Sequence, residues 1–108
     1  MAIAVEQAAR SQVLFREVNE RIAKLSGPRA ETDHRLLICE CSSVECAESL
    51  EISAAEYEAV RAQGARFVVL PGHELAEIER VVKGNSRYLV VEKLGEAAEI
   101  AHAGDPRS

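Results

Sequence analysis

All three cysteines of the chain, Cys39, Cys41 and Cys46, follow directly on the apolar run Leu36-Leu37-Ile38 in a C-x-C-x4-C pattern. This cluster limits the fold more than any other feature, because it commits a short stretch to holding three sulfurs close together. In a strand, side chains at i and i+2 share a face, so Cys39 and Cys41 can grasp one ion. The small polar Ser42 and Ser43 suit a turn that brings Cys46 back as a third ligand. Structural zinc takes four Cys or His ligands in a tetrahedron, and the pattern predicts a zinc site.

The fourth ligand must come from elsewhere. His73 is the first candidate, since Pro71-Gly72-His73-Glu74 is a sharp turn after the strand-like run 66–70, where a side chain can be aimed. His34 precedes Cys39 by five residues on the same strand approach, and His102 lies near the end of the chain. A water in the fourth position would make the site open, with Glu74 as the nearby carboxylate. The expected metal set is therefore Cys39, Cys41, Cys46 and His73, with His34 or water as alternatives in fourth place.

The odd number of cysteines and the absence of a signal-peptide pattern at Met1-Ala2-Ile3-Ala4-Val5-Glu6 favour metal ligation in a reducing, cytoplasmic setting over a disulfide framework. A Cys39–Cys41 disulfide would be strained by its one-residue gap and would leave Cys46 over. No stretch has the roughly 18 apolar residues that a membrane span needs. Eighteen acidic against 13 basic residues give a net charge of −5, and no basic run occurs, which argues against a grip on nucleic-acid phosphates. Aromatics make up only 4% of the 108 residues and Trp is absent, so the core must come from Val, Ile, Leu and Ala. A structural metal would offset so thin a core.

Along the chain, residues 5–25 contain neither Gly nor Pro and set Leu14, Val18, Ile22 and Leu25 in one stripe, with Phe15 at its edge. Arg10, Arg16, Glu17, Glu20, Arg21 and Lys24 cover the other side, predicting an amphipathic helix that Gly27-Pro28 ends. The stripe must be buried on the chain's own sheet, against a second copy, or in a partner's groove. Packing on its own domain is the first expectation; a protein partner or homodimer through this helix is the other. After a polar connector, strands are expected at 35–39, at 48–52, at 66–70, from about Ile78, and at 88–92. Ser53-Ala54-Ala55-Glu56 is a capping box that starts a second, short helix carrying Tyr57 and Val60 on its inner face. Gly84-Asn85-Ser86 signals a hairpin.

The expected architecture is α+β: a small antiparallel sheet with an N-terminal amphipathic helix and a short second helix, stabilised by zinc. The expected organisation is helix over residues 1–27, a zinc-binding α+β domain over 28–95, and a flexible tail over 96–108, disordered or weakly helical from Gly95 onward. Catalytic patterns are missing. His73-Glu74-Leu75-Ala76-Glu77 has Glu where a zinc protease helix carries its second His, and no phosphate loop, dinucleotide fingerprint or G-x-S-x-G occurs. No catalytic residue is therefore expected, and the two functional expectations are an interaction or regulatory module with a closed zinc site, and a small metalloenzyme or metal sensor with an open one.

At Cys39-Glu40-Cys41, Cys46, Glu56-Tyr57, Pro71-Gly72-His73-Glu74 and Val91-Glu92-Lys93 the chain resembles a group of small uncharacterised bacterial proteins with the same order of motifs. The resemblance spans roughly Phe15 to Lys93 and implies that Cys39, Cys41, Cys46 and His73 form a set. It brings no activity with it.

Overall fold

With no Gly or Pro to interrupt it, the segment from Val5 to Leu25 forms helix α1 (Val5–Leu25), with the exposed pairs Glu6–Arg10 and Glu17–Arg21 at i,i+4 spacing on its surface. A computed structural model of the chain describes residues 4–25, 34–43, 45–46 and 48–107. The Gly27-Pro28 stop and most of the polar connector expected after α1 lie outside the described residues.

Strands β1 (His34–Ile38) and β2 (Ser49–Ser53) form an antiparallel hairpin in which Leu37 faces Leu50 and Arg35 faces Ile52. The capping box forms as the sequence requires: the Ser53 hydroxyl accepts from the Glu56 amide at 3.1 Å, and the Glu56 carboxylate accepts from the Ser53 amide at 3.0 Å. It opens helix α2 (Ala54–Arg61). The β-branched run then makes strand β3 (Arg66–Val69), and β4 (Glu79–Gly84) and β5 (Leu89–Lys93) follow. Asn85 shapes the β4–β5 turn by accepting from the amides of Arg87 and Tyr88 at 2.8 and 3.0 Å.

The strands do not make one sheet. β3, β5 and β4 form a second antiparallel sheet in that order, with a bulge between Val81 and Lys83 on β4. Glu40 joins the two sheets: its amide donates to the Val68 carbonyl at 2.8 Å, and its carboxylate accepts from the Val68 amide at 3.0 Å. The core between them holds Leu37, Leu50, Ile52, Tyr57, Phe67, Val68, Val91 and Tyr88.

Two expectations need correction. The stretch expected to begin a flexible tail, disordered or at most weakly helical, forms helix α3 (Gly95–Ala103). Its buried positions are Ala97 and Ala101, one turn apart, and such small side chains let α3 lie close against α1 while giving no large-apolar signal in the sequence. Residues beyond α3 are also tied down: Arg107 pairs with Glu20 and Glu58, and Asp105 pairs with the buried Arg61.

The second correction concerns which side of α1 faces inward. The helix buries Ala9, Gln12, Arg16 and Asn19, while Leu14, Val18 and Leu25 are 55%, 38% and 88% exposed. Only Ile22 of the expected stripe packs against the core. At about 100° per residue the buried face and the exposed apolar residues lie about 160° apart on the helix. Specific hydrogen bonds make a polar inner face tolerable, because a buried polar group is costly only when unpaired. Arg16 donates to the carbonyls of Gly64 and Ala101 at 2.6 and 2.7 Å, and its guanidinium stacks 4.4 Å from the Phe67 ring. Gln12 and Glu79 hold the ammonium of the buried Lys93. Among the described residues no helix is long and apolar enough to cross a membrane.

Candidate metal centre

The hairpin carries the first two sulfurs past the end of β1. The Cys39 amide donates to the Glu48 carbonyl at 2.9 Å, which extends the strand pairing by one rung, and the chain then turns through Ser42 and Ser43. The Cys46 amide donates to the Ser43 carbonyl at 3.1 Å and brings the third sulfur back. From the other sheet, the chain leaving β3 turns at Leu70-Pro71-Gly72-His73, closed by the His73 amide on the Leu70 carbonyl at 2.9 Å. Proline at the second position and Gly72 at φ 91° at the third are the residues a type II turn demands.

These two segments meet. One ligand atom each from Cys39, Cys41, Cys46 and His73 lies within 4.8 Å of every other, a group that can hold a metal ion. His73 Nδ1 stands 3.6 Å from the sulfurs of both Cys39 and Cys46. For a tetrahedral zinc with its usual bond lengths, sulfur and nitrogen ligands are about 3.5 Å apart and two sulfurs about 3.8 Å. Cys39 and Cys41 are buried, whereas Cys46 and His73 are half-buried and leave one side of the cluster open to an arriving ion.

Sequence reasoning missed the groups around this cluster. Glu48 Oε2 lies 3.3 Å from His73 Nε2. A proton shared there leaves Nδ1 as the lone-pair nitrogen facing the sulfurs, the arrangement typical of metal-ligating imidazoles. The Leu70 amide donates to the Cys39 sulfur at 3.2 Å, and the Ser43 amide hydrogen-bonds the Cys41 sulfur. Burial, together with the neighbouring cysteines, pushes the thiols of Cys39 and Cys41 up, so that ionising the set calls for a cation among the sulfurs.

Glu40, between two cysteines, faces away from them, as strand alternation requires. Its carboxylate accepts from Asn19 Nδ2 at 2.8 Å and from the Val68 amide, while its carbonyl accepts from Gln12 at 3.1 Å. Complete burial raises its pKa to about 7, against the opposing pull of Asn19, the Val68 amide and Arg16. One signal for this support was present in the sequence: Gln12, Arg16 and Asn19 recur at helical spacing.

The other candidate ligands are engaged elsewhere. His34 Nδ1 contacts Glu51 at 2.7 Å and Arg87 at 3.2 Å, and His102 sits in the last turn of α3. The Glu74 carboxylate accepts from the Gly72 amide at 2.8 Å, bracing the turn. No family model, curated protein or solved structure matches the chain.

Proposed function

We propose that this chain is a zinc-binding interaction module, in which one zinc ion is held by the sulfurs of Cys39, Cys41 and Cys46 and by His73 Nδ1. The observation that carries the reading is the pair of 3.6 Å separations from His73 Nδ1 to two of the three sulfurs, which suit a tetrahedral Cys3His site. The role is structural. The ion would fasten the end of the β1–β2 hairpin to the turn after β3, joining the two sheets. With four protein ligands there is no open position for substrate, and the contact of Glu74 with Gly72 gives no support to a base acting on zinc-bound water.

The interaction half of the reading rests on α1. Its Leu14, Val18 and Leu25 are apolar side chains left exposed among the described residues, and they suit a protein partner or a second copy. The zinc reading is tested by elemental analysis of protein purified without chelator, followed by cobalt substitution. One equivalent of zinc and a tetrahedral, thiolate-rich cobalt spectrum are expected, and His73→Ala should change that spectrum. Clearly less than one equivalent, or an octahedral cobalt spectrum, sinks it.

A further inference from the structure

The charges around Leu14 are ordered. Glu6, Arg10, Leu14, Glu17 and Arg21 share one face of α1, and all four charged side chains are at least half exposed, from 50% at Glu17 to 76% at Arg21. Read along the helix the face runs negative, positive, apolar, negative, positive. Turned end for end, it runs positive, negative, apolar, positive, negative, so the face is complementary to itself when antiparallel and repels itself when parallel.

Shape supports the same pairing. The ridge made by Arg10 and Leu14 stands between two shallow hollows. One, of about 460 Å³, runs along the Gln7 and Ser11 side; the other, of about 410 Å³, is floored by Val13, Ile100 and Ala103 at the α1–α3 junction. A ridge flanked by hollows is what two helices need to interlock side by side.

We infer that α1 pairs antiparallel with α1 of a second copy of this chain, about a two-fold axis beside Leu14. This deepens the reading of α1 as a docking element and does not depend on the zinc. An axis midway between Arg10 and Glu17 sets Arg10 against Glu17 of the second copy and Glu6 against its Arg21. Leu14 then lies half a residue from the axis, about 0.75 Å along the helix, and meets its own equivalent. The ion pairs within each helix, Glu6–Arg10 at 3.0 Å and Glu17–Arg21 at 3.3 Å, remain intact. They join the intermolecular pairs in a closed ring of four alternating charges, repeated on both sides of the leucine contact. Isolated exposed ion pairs contribute little, but a ring around an apolar contact fixes orientation and partner. Because each copy supplies the same surface, the contact closes on itself and stops at the dimer.

The test is a charge exchange read by sedimentation velocity over a concentration series. Wild-type chain is expected to form a dimer that weakens as salt rises. The all-basic face made by Glu6→Arg with Glu17→Arg, and the all-acidic face made by Arg10→Glu with Arg21→Glu, should each be monomeric. An equimolar mixture of the two should recover the dimer. Thermal melting of each variant reports folding, and recovery on mixing shows that neither has lost its fold. Leu14→Asp should be monomeric alone and in every mixture. A wild-type chain that stays monomeric across the series, a charge variant that dimerises by itself, or variants that do not associate on mixing overturns the assignment. Zinc content measured on the same samples is expected to be unchanged throughout, so failure here is distinguishable from failure of the metal reading.

Discussion

Asn19 holds Ile38 from both sides: its Oδ1 accepts from the Ile38 amide and its Nδ2 donates to the Ile38 carbonyl, each at 2.8 Å. The side-chain amide thus acts as one residue of a neighbouring strand, at the position immediately before Cys39. Asn19→Leu keeps the volume and removes both bonds, orphaning a backbone donor and acceptor and taking the Asn19 donor from Glu40 Oε2, while the Val68 amide still holds Oε1. A loss of about 2–4 kcal/mol in denaturant-unfolding stability is expected. An unchanged unfolding midpoint would show that water replaces the amide.

Glu48 is expected to tune metal affinity without being a ligand. Carboxylates that orient a ligating imidazole typically contribute 10–100-fold. Because Glu48 is 65% exposed, the lower end applies, and Glu48→Ala should weaken zinc about tenfold in a chelator competition at neutral pH. Glu48→Gln should recover much of that loss by still accepting from Nε2. Equal affinities for all three proteins would remove Glu48 from the site.

Zinc removal, or Cys41→Ser, is expected to unfold the chain. Structural zinc contributes roughly 10–16 kcal/mol of apparent binding free energy, against a total stability of about 5–15 kcal/mol for a domain. Loss of the cooperative thermal transition on adding a strong chelator, and its return with zinc, are the expected results. A cooperative melt in fully zinc-free protein would show that the polar contacts of α1 suffice alone.

Glu56 should make stability depend on acid. The Ser53 amide, and after it the Tyr88 hydroxyl at 2.7 Å, hold its carboxyl down at about 2. A carboxyl depressed on folding stabilises fully above its unfolded pKa, and that contribution is lost as pH falls from the usual carboxylate range toward 2. Since the side chain is 31% exposed, the contribution is screened and amounts to about 1 kcal/mol. The stability gap between wild type and Glu56→Gln should therefore be constant near neutrality and shrink below about pH 4.5. Any acid release of zinc acts on both proteins and leaves the gap as the readout. A gap independent of pH would mean that the charge contributes nothing.

Much of this fold was legible because local chemistry decided it. The capping box at Ser53, the Pro71-Gly72 turn, the β-branched runs and the hairpin at Asn85 each use residues with few alternative conformations. The four-residue cluster was legible for the same reason, since C-x-C on a strand and a histidine on a tight turn leave little freedom. What surrounds it was not. The inner face of α1 is polar, and a reading that equates burial with hydrophobicity picks Leu14 and Val18 instead of Gln12, Arg16 and Asn19. Pairing decides the matter here, and pairing with Gly64, Ala101 and Ile38 is invisible until the chain has folded. Helix α3 was legible only as a weakly helical alternative, because Ala97 and Ala101 bury little area and succeed by fitting closely.

The bulge on β4 has a bearing on how the protein behaves when crowded. Among the described residues β3 is covered by Glu40, and the outer edge of β4 pairs with no strand. A straight edge of that kind invites strands of other molecules to add on without limit, the first step toward fibres. The extra residue at Val82 spoils the regular spacing of amides and carbonyls, and Arg80 and Lys83 bring charge to the same short stretch. Deleting Val82 to regularise the edge would therefore be expected to make the protein precipitate at lower concentration than the unaltered chain.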